Sequence, residues 1–157
     1  MILRELRDFL DSHLVRYAVC SHSRTFTAAE TARAAHVDEG EFAKVTIVRI
    51  DRKLAMAVVP ATNDVDLARL QALTNAGDVA LAHEGEFSDR FPDCEVGAMP
   101  PFGNLFDMDC YVEESMRQNT NVAFNAGSHA EVLQMRFRDF QTLTSPTFAH
   151  IACDHEQ

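Results

Sequence analysis

The sequence predicts an α+β fold in which a curled, largely antiparallel mixed β-sheet, barrel-like in outline, is surrounded by helices. Three features carry that expectation. Strand-like runs recur along the chain, helical periodicity opens it and returns between those runs, and 157 residues at 46% hydrophobic content suit one core. Residues 1–157 therefore read as one domain, without repeat, linker or low-complexity run.

Residues 2–14 set Leu3, Leu6, Phe9, Leu10 and Leu14 at helical spacing with Arg4, Arg7, Asp8 and Asp11 opposite, the pattern of an amphipathic helix. Residues 17–20 read as a short strand. Thr27-Ala-Ala-Glu30 supplies a capping box, in which the Thr hydroxyl accepts from the N–H three residues on, so a helix over 28–36 follows. Residues 43–50 and 54–59, β-branched on either side of Asp51-Arg52-Lys53, form a hairpin that Pro60 ends. Asp64 is placed to cap a helix bearing Val65, Leu67, Leu70 and Leu73, which Gly77 closes before a strand at 79–82. A short helix is expected near 84–90. Residues 97–103, Gly-Ala-Met-Pro-Pro-Phe-Gly, form a shaped loop, because proline lacks an N–H and glycine tolerates unusual dihedrals. Strands at 108–112, 121–126 and 131–136 and a helix at 137–143 complete the pattern. Helices scattered among mostly sequential strands give the α+β class and a sheet that curls.

Charge narrows the function. With 14 Lys+Arg against 24 Asp+Glu the formal net charge is −10, which excludes a general nucleic-acid coat built on phosphate neutralisation. The acidity is uneven. Residues 1–53 hold nine basic and eight acidic side chains, residues 54–157 five and sixteen, so a basic face is open only to the first third. No apolar window is long enough for a membrane span and the first residues lack a signal-peptide block, so the cytoplasm is expected and no membrane partner. Cys20, Cys94, Cys110 and Cys153 form no C-x-x-C pair and read as reduced thiols.

Lys44 stands in Phe42-Ala-Lys-Val-Thr-Ile-Val, where an ammonium at the start of a strand must snorkel to water or meet an anion; spacing alone favours snorkelling. The 97–103 loop would hold backbone groups in a fixed arc fit for a small polar group, or be a rigid turn. In Asn125-Ala-Gly-Ser-His129 a glycine turn exposes amides beside an imidazole, but neighbouring Ser and His on a strand point apart, so Ser128 is not a triad nucleophile. His22 follows a strand in a loop, where both functional and plain surface residues gather. His150, Cys153 and His155 cluster near the C-terminus without four fixed ligands, and no metal or cofactor is expected.

Taken in order, His22, Thr27-Ala28, Glu30, Lys44, Val59-Pro60, the 97–103 loop and Ala126-Gly-Ser-His129 resemble the YbaK/prolyl-tRNA-synthetase-associated domain family, editing domains that hydrolyse mischarged aminoacyl-tRNA. The resemblance runs from about residue 16 to 143. It implies a pocket for the aminoacyl group on the terminal adenosine, with Lys44 as the key catalytic residue at the terminal phosphate or ester. It implies substrate binding by His22, Val45, Gly97, Ala98, Met99, Pro100, Pro101, Phe102, Gly127, Ser128 and His129, and no metal. Members that clear alanine from proline tRNA carry Asn after the lysine; Val45 here, with Met99, turns the expectation to a different or larger side chain. The expected function is a stand-alone trans-editing hydrolase that binds aminoacyl-tRNA by its acceptor end only, over a rim drawn from Arg24, Arg33, Arg49, Arg52 and Lys53. A synthetase or elongation factor is a further expected partner. The alternative is a catalytically weak binding module of the same fold for an amino-acid-like or nucleotide ligand or a protein.

Overall fold

The computed structural model describes residues 3–25 and 27–154. Helix α1 (Arg4–Ser12) buries Leu6 and Leu10 and exposes its charged face; the predicted start at Ile2 lies outside the described residues. Strand β1 (Tyr17–Ser21) follows. Helix α2 (Ala28–Ala34) begins where the capping pattern put it, with Thr27 Oγ1 accepting the Glu30 N–H at 3.1 Å. Strands β2 (Ala43–Ile50) and β3 (Lys53–Pro60) form the hairpin, paired from Ile50 with Lys53 to Ala43 with Pro60. Asp51 anchors its turn by accepting the N–H groups of Gly77 and Asp78 at 3.0 Å each.

The next segment departs from expectation. Asp64 lies in strand β4 (Asn63–Val65), and helix α3 (Leu67–Thr74) is capped by Asp66, whose Oδ1 accepts the Arg69 N–H at 3.1 Å. The reason is long-range: the C-terminal strand β10 (Ala152–Asp154) pairs antiparallel with β4 and holds it extended, so the helix starts only beyond it. Asn75, at φ 57°, ends α3 in the left-handed conformation in place of Gly77. Strand β5 (Val79–Leu81) and helix α4 (Glu84–Phe87), extended by a 3₁₀ turn, lead into the irregular loop. Strands β6 (Asp109–Glu113), β7 (Asn121–Asn125) and β8 (Glu131–Arg136), helix α5 (Phe137–Thr144) and strand β9 (Thr147–Ala149) complete the chain order before β10.

Among the described residues the strands form three sheets. Order β5-β2-β3-β6-β9 makes a mixed sheet, antiparallel up to β3 and parallel from β3 to β9; β1-β8-β7 is antiparallel, and β10-β4 is a two-stranded pair. A parallel bridge between Phe42 and Ala123 joins the two larger sheets. The α+β class and mixed sheet hold, while the described strands close no barrel. The main core lies between the sheets and α1 and α5, with Phe102 5.5 Å from Phe124 and 5.6 Å from Phe140, ring centre to ring centre.

Glu113, 4% exposed at the end of β6, ties the C-terminal strand in place. Its carboxylate accepts the N–H groups of Ser115 (2.8 Å), Ile151 (2.9 Å) and Ala152 (3.1 Å). Burial pushes its pKa up, but these donors outweigh burial and hold it below the ordinary 4.5. No helix among the described residues is long and apolar enough to cross a membrane.

Candidate active site

The parallel bridge sets the floor of the site. Phe42 and Ala123 are buried with Ala32, Ala61 and Val132, and the strands continue past them to Lys44 on β2 and Asn125 on β7. Because side chains alternate along a strand, Phe42, Lys44 and Thr46 share a face, so the wall turns from apolar to polar in one step. Small residues opposite, Ala28 and Ala29 of α2 and Ala61 after β3, leave a cavity of about 1030 Å³. Its other walls come from residues 62–63, Val96, Gly97 and Met99, His129 and Asp154.

Lys44 is one-quarter exposed, and its Nζ donates to Asp64 Oδ1 at 2.9 Å. The ammonium thus meets an anion rather than only snorkelling to water. Asp64 is held by the β4–β10 pair, where Asn63 Nδ2 donates to the Cys153 carbonyl at 3.1 Å. Asp64, expected as a helix cap, is the counter-ion of the candidate catalytic lysine.

The two glycine turns are stitched together by backbone. Glu95 N–H donates to the Gly127 carbonyl (2.8 Å) and Gly127 N–H to the Ala98 carbonyl (3.0 Å). Gly97 takes φ 83°, a conformation that favours glycine, and a Cβ there would stand 3.3 Å from His129 Cε1. His129 Nε2 lies 2.6 Å from the Val96 carbonyl, which can only accept, so Nε2 carries the proton of that bond. Glu95 completes the clamp: Oε2 takes Arg24 Nη2 at 2.6 Å and the His129 N–H at 3.3 Å. Partial burial raises its pKa, yet those two donors bring the net below the ordinary value.

Lys44, Val45, Gly97, Met99 and His129 therefore meet on one cavity. The other named residues lie off its wall. Ala98, Pro100, Pro101 and Phe102 are the loop's buried residues, with Phe102 inside the aromatic core. Gly127, at φ 108°, is packed on Leu3, where a Cβ would come within 3.2 Å. Ser128 Oγ accepts the Ala130 N–H and donates towards Glu131, a turn role. His22 turns Nδ1 to the Ser23 carbonyl at 2.6 Å. Thr46, Asn63, Asn125 and Asp154 also line the cavity, beyond the residues the sequence pattern implies. Strand alternation from Lys44 points to Thr46, and a lone amide ending an apolar run marks Asn125; nothing local marks Asn63 or Asp154, which depend on β10.

The hairpin members of the expected basic rim run away from Lys44, while Arg24 stays beside the cavity loop. Lys53 pairs with Ile50, six residues along β2 from Lys44, about 20 Å at about 3.3 Å per residue. Arg49 is tied to Glu86 at 2.6 Å, and Arg24 to Glu95. Of the terminal cluster, His150 Nδ1 faces Glu113 at 3.5 Å, Cys153 sits in β10 and His155 lies outside the described residues. Among the described residues no group of three or more His, Cys, Asp or Glu is arranged to hold a metal.

The fold recurs in solved structures. A crystal structure of a hypothetical protein superposes with TM-score 0.84 at 19% identity over 96% of this chain and 100% of that one. One described as a proposed trans-editing enzyme for prolyl tRNA synthetase gives 0.80 at 19% identity, covering 98% and 96%. A proposed signal transduction protein from Marinobacter aquaeolei VT8 gives 0.74 at 17% identity, covering 98% of this chain and 31% of that one. No curated protein matches the sequence. The mixed α+β fold is thus a shared architecture. This chain belongs to the aminoacyl-tRNA editing domain family, whose model matches residues 22–143. That membership supports a role in tRNA editing, with aminoacyl-tRNA as the substrate class.

Proposed function

We propose that the chain is a trans-editing hydrolase that cleaves the ester of mischarged aminoacyl-tRNA while gripping only the acceptor end. The supporting observation is the convergence of Lys44, the Val96–Gly97–Met99 backbone and His129 on one cavity from three distant segments. Ester hydrolysis needs a water, a place for the developing oxyanion and a hold on the leaving ribose. The N–H groups of Gly97 and Met99 have no backbone acceptor among the described residues, so the loop can direct them at the oxyanion. The Lys44 ammonium faces the ester or the terminal phosphate, and His129 fixes the loop through Val96. Water adds to the carbonyl carbon, the bond to the ribose oxygen breaks, and that oxygen leaves with a proton from the water, giving free amino acid and deacylated tRNA. The reading requires no cofactor.

With Arg49, Arg52 and Lys53 at the far end of the hairpin, the phosphate footprint is small. The same observation favours the second reading, a catalytically weak binding module for a nucleotide or amino-acid-like ligand. A deacylation screen across mischarged tRNAs separates the two: turnover of at least one ester is expected, and none on any ester supports the binding module. Under the hydrolase reading tRNA binding weakens with salt by a shallow slope, that of one or two phosphate contacts. A synthetase or elongation factor that hands over the acceptor end in the cytoplasm is the proposed partner.

A further inference from the structure

Building on the reading of this cavity as an aminoacyl-ester site, we infer that Asn125 determines specificity, its side-chain amide hydrogen-bonding a donor on the acyl group, either the α-ammonium or a side-chain hydroxyl. Asn125 ends β7, is 8% exposed and lines the cavity. It shares the cavity wall with Lys44, each lying two residues beyond the parallel Phe42–Ala123 bridge. Its Oδ1 is sealed from solvent and has no hydrogen-bond partner among the described residues. Such groups are exceptions in folded proteins, where nearly all buried polar atoms are paired.

Nothing in the fold calls for an amide here. Val122, Ala123 and Phe124 before it are buried and apolar, and the backbone of Asn125 is already engaged opposite Val132 in the sheet. With no hydrogen bond holding either end of the amide among the described residues, a half-turn of its terminal torsion exchanges Oδ1 and Nδ2 and presents an acceptor to the cavity. The rest of the wall, Ala28, Ala29, Ala61, Val45 and Met99, sorts acyl groups by size, which discriminates by only about 10–200-fold per methylene. A buried amide adds discrimination by donor. A neutral carbonyl oxygen accepts from an ammonium and from a hydroxyl alike.

The test uses the full chain and one tRNA carrying three esters: propionyl, which has no donor; alanyl, with the α-ammonium alone; and seryl, with α-ammonium and hydroxyl. Asn125→Leu removes the amide at similar volume, and Asn125→Asp keeps an acceptor. The expected result is that Asn125→Leu lowers kcat/KM about 10–100-fold for the ester carrying the recognised donor. Propionyl hydrolysis stays within about threefold, and Asn125→Asp recovers most of the loss. A fall on alanyl and seryl together assigns the α-ammonium, and a fall on seryl alone assigns the hydroxyl. The Tm of Asn125→Leu should be unchanged or higher, because an unpartnered amide has been replaced by apolar volume.

Equal loss on all three esters, loss on none, or a lowered Tm restored by Asn125→Asp would overturn the inference by making the amide structural or idle. If wild-type protein hydrolyses no ester, the hydrolase reading fails and the inference is decided by titrating non-hydrolysable 3′-alanylamido and 3′-serylamido adenosines. Binding weakened tenfold or more by Asn125→Leu keeps it, while binding that is unchanged or absent in the wild type refutes it.

Discussion

Asp64→Asn keeps the shape of the residue that holds Lys44 and removes its charge. The two groups are 2.9 Å apart, with side chains 25% and 41% exposed. At that separation unit charges attract by about 1.4 kcal/mol in water and about 6 kcal/mol at an effective dielectric constant of 20. Partial solvation and the entropy of fixing both side chains bring the net contribution to stability down to about 0–1 kcal/mol. The Tm should therefore fall by no more than about 2–4 °C for a chain of this size. The larger effect falls on substrate. A phosphate approaching Lys44 also meets the carboxylate, and one unit of repulsion at about 5 Å in water is about 0.8 kcal/mol, or about fourfold in affinity. Steady-state deacylation by Asp64→Asn at low salt should show KM lowered about three- to tenfold, with kcat within about threefold because the amide oxygen still accepts from Nζ. The gain should fade with added salt as the Debye length drops to about 10 Å at 0.1 M. An unchanged or raised KM at low salt would refute the idea that Asp64 competes with substrate for Lys44, and a Tm loss beyond about 10 °C would make the pair a structural element instead.

Phe102→Ala should cost about 3–5 kcal/mol by opening a cavity among Phe124, Phe140 and Phe9, lowering Tm by roughly 10 °C or more, with KM unchanged while the protein is folded. A changed KM at unchanged Tm would put the ring against substrate. Glu113→Gln should cost about 1–3 kcal/mol, since a neutral amide cannot take all three N–H donors as the carboxylate does. The folded pKa of Glu113 lies below 4.5, so its contribution is complete above that pH and is lost as pH falls through the folded value. Urea unfolding from pH 7 to pH 3 should accordingly show the variant's deficit shrinking in acid; a deficit constant across that range would contradict the assignment.

Local chemistry wrote most of the fold. The Thr27 cap, the β2–β3 hairpin and the β7–β8 pair announce themselves because each is stabilised by neighbours in sequence. Asp64 and Asp66 are equally suited to capping by local sequence, and the choice falls to Asp66 because β10, only three residues long and with Cys153 opposite Asp64, holds residues 63–65 extended. The site divides along the same line. Lys44, Gly97 and His129 are visible as an unusual charge, a loop glycine and a turn imidazole, whereas the partition of residues 97–102 between wall and floor depends on where Phe102 packs. Arg49, Arg52 and Lys53 leave the site for a geometric reason: they follow Lys44 along one strand and its turn at about 3.3 Å per residue, whereas Glu95 holds Arg24 beside the cavity loop.

The central claim is that Lys44 acts on the ester, and deacylation of a mischarged tRNA by Lys44→Ala tests it most directly. Removing the ammonium should lower kcat about 10²–10³-fold, as for other preorganised charge-stabilising groups, with Tm within a few degrees of wild type because the Asp64 side chain is already 41% exposed. Wild-type turnover in a folded Lys44→Ala protein would contradict the account.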